Sequence, residues 1–150
     1  NVTISHNAIT SPNVIYAEHN INVDASIFDQ PGSTCVGYAG PANGLIVSDS
    51  IASDAGASNQ GFVQGTPTFV NGSAGDYHLV PWSPGVDFAN EAPVSETEYE
   101  HYDLDGNPRE TNLSSIPNVQ PGYFAYRDAG AYELQFVCAP DEVFCSGFDH

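Results

Sequence analysis

Three short segments in the first half of the chain end on the same residue in the same setting: HNAI at Ile9, DASI at Ile27 and SDSI at Ile51. A fourth, GTPTFV, puts Phe69 in that place. The spacings are 18, 24 and 18 residues, and each unit is a short β-prone run followed by Gly, Pro, Asn or Asp turns. A unit of that length cannot bury its own apolar face, so it must stack on its neighbours. Coils that differ by a few residues at the corners and stack Ile and Val inside fit a right-handed parallel β-helix of few coils. Four coils at about 4.8 Å each make a stub about 20 Å tall. A β-sandwich and a chance alignment of Ile in a β-rich chain are the alternatives.

Composition agrees with an all-β class. The 150 residues suit one domain, 41% are hydrophobic and only 14% charged, and 14 Gly with 11 Pro cut the apolar residues into short runs. The charge is lopsided: Arg109 and Arg127 face 19 Asp and Glu, for a net charge of -17. Phosphate recognition needs clustered Lys and Arg, so nucleic acid is excluded as a partner, and an anionic membrane surface is disfavoured for the same reason. Self-repulsion of this size calls for counterions, with calcium the first to consider. No run approaches 18 apolar residues, which argues against membrane insertion. The chain contains no Met, so Asn1 is expected to arise by processing or truncation. Cys138 and Cys145 are close enough in sequence to form a disulfide in an oxidising compartment, leaving Cys35 odd. Two reduced thiols, or a pairing that involves Cys35, remain open.

After the repeats comes Gly75 to Ala89, GDYHLVPWSPGVDFA, with the only Trp. Alternation through Asp76, Tyr77, His78, Leu79 and Val80 predicts a strand, and Pro81 and Pro84 then predict a fixed corner that aims Val86 and Phe88 at the core. Residues 90–100 carry Glu91, Glu96, Glu98 and Glu100 around Pro93 and read as a surface loop. Residues 123–136 return to alternation, with Phe124, Tyr126, Tyr132 and Leu134 expected to point inward. The division expected is coils over 1–74, closing strand, corner and loop-rich cap over 75–136, and a tail over 137–150.

GDYHLVPWSPGVDFA (75–89), DLDGNPR (103–109) and DAGAYE (128–133), preceded by PTFVN (67–71), together resemble the C-terminal region of secreted bacterial right-handed parallel β-helix proteins of the choice-of-anchor type. The likeness spans roughly residues 60 to 135. It departs at the corner, where Gly85-Val86-Asp87-Phe88-Ala89 stands for the family's Ala-Ile-Asp-Ala-Gly, and in the long loop between Arg109 and Asp128. The resemblance implies an extracellular or cell-surface β-helix and no particular reaction. Since such proteins are usually longer, it also implies that these are the final coils.

Asp103, Asp105 and Asn107 place oxygen ligands at alternate positions around Gly106, as in the first half of a calcium loop, but Ser114 stands where a bidentate Glu would follow. The alternative is an Asx turn, with Arg109 paired to a carboxylate such as Asp128. Asp87 and Asp128 sit beside apolar residues; accepting backbone N–H groups to pin the corner with Ser83 and Pro84 is preferred over a glycosidase acid/base pair. The His residues at 6, 19, 78, 101 and 150 show no zinc pattern. Tyr77, Trp82, Tyr99, Tyr102, Tyr123 and Tyr126 are candidates for a sugar-stacking surface, against the plainer role of covering a sheet.

A cut β-helix exposes unpaired strand edges, so Val2, Thr3 and Ile4 are the expected self-association edge. Head-to-tail stacking of copies there would give a fibre. The expectation is therefore a secreted, non-catalytic structural module, self-assembling or surface-associated, with a filament subunit as its sharpest form. The competing expectation is the C-terminal part of a carbohydrate-active or polysaccharide-binding β-helix protein whose missing upstream coils cover the edge.

Overall fold

The computed structural model describes residues 2–5, 13–54, 60–89, 101–119 and 126–136. Among them the fold is all-β, with ten strands and no α-helix. In chain order the strands are β1 (Thr3–Ser5), β2 (Asn13–Ala17), β3 (Ile21–Asp24), β4 (Ile27–Asp29), β5 (Thr34–Tyr38), β6 (Leu45–Ser48), β7 (Ile51–Ala52), β8 (Val63–Gln64), β9 (Phe69–Asn71) and β10 (Asp76–Leu79).

The first eight strands pair only in parallel. One sheet runs β1-β4-β7-β8, a second joins β2 to β5 and a third joins β3 to β6. Thr3 lies beside Ile27, Ile27 beside Ile51 and Ile21 beside Leu45, so the backbone returns to its neighbour after 24 residues. The β2–β5 pair returns after 21, with Ile15 beside Val36. The corner before β4 and β7 is built twice in the same way. Ala25 and Asp49 both adopt φ 43°, and the serine after each turns its hydroxyl back to a carbonyl two residues earlier, Ser26 to Asp24 and Ser50 to Ser48, at 2.7 Å. Those same hydroxyls accept amide hydrogens from the preceding circuit, Val2 N–H on Ser26 and Ser26 N–H on Ser50.

This ladder corrects two sequence expectations. The repeat is set by one circuit of backbone and not by the recurrence of Ile: Thr3 precedes Ile27 and Val63 follows Ile51, while Phe69 has left the ladder to pair antiparallel with Leu79. Thr and Val are β-branched and fill the same pleated position as Ile, so a template written on Ile passes over them. Ile9 lies outside the described residues. Ile27 and Ile51 also do not point into the core between the three sheets. Alternation along the strand sends Phe28 and Ala52 there, with Val23, Cys35, Val36 and Phe62. Ile27 and Ile51 face the opposite side, where Leu79, Val86, Phe88, Ile116 and Ala129 cover them.

The three-sheet core is closed at one end by the segment leading into β8. Phe62 is 3% exposed and meets Phe28 edge to face at 5.1 Å. Gln60 stands 24 residues beyond Val36 and acts as a substitute peptide unit: its Oε1 accepts the Val36 N–H at 3.0 Å and its Nε2 donates to the Val36 carbonyl.

Beyond β8 the parallel ladder ends. β9 and β10 form an antiparallel hairpin through a short 3-10 turn at Gly72–Ala74 and Gly75, whose φ of 86° only glycine adopts freely. Trp82 (φ 68°), Gly85 (φ 111°) and Asp87 (φ 49°) then bend the chain sharply. Gly85 packs tightly, since a Cβ there would lie 3.3 Å from side chains of both Ile27 and Leu79. Val86 and Phe88 enter the second core as the sequence predicts. The expected strand over 123–136 is different: residues 126–136 contain only the bridge from Arg127 to Ala89. The buried positions there are Arg127, Asp128, Ala129, Gly130 and Glu133, with Tyr126, Tyr132 and Leu134 partly buried, so the alternation of aromatic residues did not decide the inward face; Phe124 lies outside the described residues.

Candidate functional site

The feature that stands out beyond packing is a polar seam between the corner and the 126–136 segment. Phe88 and Ala89 donate their amides to the Arg127 carbonyl at 3.0 and 2.8 Å, and Ala129 donates to Gly85 at 2.8 Å. Asp128, 1% exposed, accepts the Asp87 amide on Oδ1 at 2.8 Å and the Leu134 amide on Oδ2 at 2.7 Å. Glu133 accepts the Asp128 amide at 2.9 Å. Ser83, the other side chain at the corner, accepts the Thr68 amide at 2.7 Å and precedes Pro84, which lies over Gly65.

Carboxylates so enclosed are pushed toward their neutral forms. Burial raises the pKa of Asp87 to about 6. Burial also raises that of Asp128, against the two amide bonds that favour its charge, and that of Glu133, with the Asp128 charge adding to it. A glycosidase pair must reach a bond in solvent, whereas Asp87 and Asp128 are each 1% exposed.

Arg109 crosses the seam. It donates Nη2 to the carbonyls of Gly130 and Ala131 at 2.9 and 3.0 Å and Nε to that of Tyr102 at 3.3 Å. Among the described residues its ion-pair partner is Glu133 at 4.0 Å, not the expected Asp128. Arg127 is bonded to Glu110, 2.5 Å away, and Glu110 also meets His101 at 2.7 Å; these bonds outweigh its partial burial and lower its pKa.

The expected calcium residues do not fit a cation. Asp103 Oδ1 accepts the amides of Asp105 and Asn107 at 2.9 and 2.8 Å, and Oδ2 accepts the Glu133 amide at 3.1 Å and the Asn107 side chain at 3.4 Å. Its lone pairs are committed to N–H donors, which is the Asx turn. Asp105 turns away to His78 Nε2 at 2.8 Å. Among the described residues, no group of three or more His, Cys, Asp or Glu side chains is placed to hold a metal ion.

His78 is the residue that sequence reading missed. Its Nδ1 lies 2.6 Å from Asp76, its Nε2 2.8 Å from Asp105, and its ring stacks at 4.1 Å on Tyr132. Partial burial alone would lower its pKa, but the two carboxylates prevail and raise it. The signal was the spacing Asp76-Tyr77-His78, which puts both polar side chains on one face of a strand.

The other candidates scatter. Thr3 is held by the far end of the chain, its Oγ1 accepting the Ala131 amide at 3.1 Å, and Val2 and Ile4 flank it on β1. Cys138 and Cys145 lie outside the described residues, as do Tyr99 and Tyr123. Cys35 is a buried free thiol whose pKa burial and the Asp54 charge push up to about 11. Tyr77 packs edge to face on Phe69, Tyr102 is exposed and Tyr126 is half-buried. Trp82 is 63% exposed beside a groove of about 430 Å³ lined by Val63, Gln64, Ser83, Pro84, Phe88 and Val119 among others. No helix among the described residues is long and apolar enough to cross a membrane. Comparison of the chain with family models, curated proteins and solved structures returns no match.

Proposed function

We propose that the chain is a non-catalytic, extracellular structural module, the closing end of a right-handed parallel β-helix that joins further parallel strands through β1, β2 and β3. The observation that carries this is the return of the backbone on itself after 24 residues in two sheets, together with the closure of the far end by Gln60 and Phe62. Among the described residues, the strand edge that an end sealed in this way offers the next coil is the two-residue edge of β8. Growth of a fibre by head-to-tail stacking of all three sheets is thereby disfavoured, and the docking strands are those of the first circuit. Their partners are coils of the same chain or the first circuit of another copy. The extracellular setting rests on the resemblance of residues 75–89, 103–109 and 128–133 to secreted β-helix proteins.

The competing reading, binding of polysaccharide, has Trp82 as its best residue. The groove beside it is lined almost wholly by apolar side chains, with Gln64 and Ser83 as the polar exceptions. Such a wall offers few partners for the ring of hydroxyls on a pyranose.

Sedimentation velocity and negative-stain microscopy test the closed end. The unsubstituted chain is expected to stay as discrete particles, whereas Gln60→Ala combined with Phe62→Ala opens the end and brings concentration-dependent association. Fibres from the unsubstituted chain, or release of reducing ends from polysaccharides by it, would overturn the reading.

A further inference from the structure

Four buried carboxyl groups and one buried guanidinium line the seam, with Glu133 4.0 Å from Arg109. Asp87 and Asp128 are each 1% exposed, Glu133 3%, Asp103 8% and Arg109 4%. Arg127, the remaining buried cation, is bonded to Glu110, which His101 also contacts. Asp87 Oδ2, Glu133 Oε1 and Arg109 Nη1 are buried without a hydrogen-bond partner. Asp103 and Asp128 have their oxygens on amide donors, which favour the charged form, so the excess negative charge falls on the groups with orphaned oxygens. A site closed to water relieves such an excess by holding protons.

We propose that this cluster is a proton-operated latch: while Asp87, whose Oδ2 is buried without a partner, retains a proton the 126–136 segment stays shut against the corner, and loss of that proton releases it. The geometry gives the release a consequence. Beyond the seam the same segment donates the Gly130 amide to Ala25 at 2.7 Å and the Ala131 amide to Thr3 Oγ1 at 3.1 Å. Opening the latch therefore frees the flank of β1 and the corner ahead of β4. The pH at which the chain is held then governs access to its first circuit.

The direction follows from the seam. Asp87 is raised to about 6, above the roughly 3.9 of a free aspartate, so its contribution is complete below about pH 4 and is lost as pH rises through about 6. Asp87 sits at φ 49°, a conformation that Asn shares, which makes Asp87→Asn a neutral replacement that keeps the backbone.

Carbon-detected NMR of chain carrying ¹³C-labelled aspartate, followed from pH 3 to 9, tests the first half. Asp87 and Asp128 are expected to titrate near or above pH 6, with Asp76, bonded to His78, below the ordinary carboxylate range. Hydrogen exchange tests the second half. Corrected for intrinsic rates, Gly130 and Ala131 amides should lose protection tenfold or more between pH 5 and 8, while those of Ile27 and Ile51 keep theirs. Asp87→Asn should abolish that pH dependence and melt roughly 5 °C above the unsubstituted chain at pH 8. An ordinary carboxylate midpoint for Asp87, or protection unchanged between the two pH values in the unsubstituted chain, overturns the latch whether or not the variant folds.

Discussion

Residues 2–64 and 65–136 solve the same problem, partners for buried backbone, in opposite ways. In the first region each circuit supplies the next with strand bonds, and where strands fail, equivalent side chains 24 residues apart meet: Ser5 donates to Asp29 at 3.0 Å and Ser48 to Asp24 at 2.7 Å. In the second region strands are scarce, and carboxylates accept the amides instead. Asp103, Asp128 and Glu133 together take the N–H groups of Asp87, Asp105, Asn107, Asp128, Glu133 and Leu134. Among the described residues, the buried charges are accordingly Asp29 in the first region and Asp87, Asp103, Arg109, Arg127, Asp128 and Glu133 in the second. Repetition spreads the task over many weak contacts; irregular chain concentrates it in a few costly ones.

The sharpest way to break this contrast is Arg109→Ala. It leaves the Gly130 and Ala131 carbonyls unpaired and the carboxyl cluster without its cation, for a cost of about 3–5 kcal/mol at pH 7. Urea titration should show that loss shrinking toward pH 5, where the raised carboxyl groups keep their protons. An equal loss at both pH values would mean that packing and not charge governs the second region.

Phe28→Ala probes the first region. Removing a ring 2% exposed that packs on Phe62 should cost about 3 kcal/mol through the cavity it leaves, with no difference between pH 5 and 7. A pH-dependent cost would place a titrating group in the ladder and blur the distinction.

His78→Gln should have the smallest effect. The raised pKa of His78 means its links to Asp76 and Asp105 are fully present below about pH 6.5 and are lost as pH rises through the higher folded value. The side chain is 37% exposed, so solvent screening keeps the contribution below about 1 kcal/mol. Melting curves of the two proteins should converge above pH 9; a constant gap would assign the effect to stacking on Tyr132.

Local chemistry made some of this legible in the chain alone. Alternation and paired prolines located β10 and the corner, because both are dictated within a few residues. DASI and SDSI marked the stacking of Ile27 beside Ile51, while the serine-closed corners before them came only with the structure. The Asx turn at Asp103 was visible because it closes on its own backbone two residues away.

What composition and spacing leave open is which surfaces meet. That Ile27 and Ile51 turn away from the three-sheet core was decided by the second region packing on them, because a strand with apolar residues on both faces carries no label for the inner one. That Asp87, Asp128, Glu133 and Arg109 converge was decided across separations of up to 46 residues, by a backbone whose orphaned amides had to find acceptors wherever the fold brought them. The sequence alone determined the all-β class and the local turns, which depend on neighbours along the chain. The tertiary structure alone decided the seam, whose energies depend on exclusion of water.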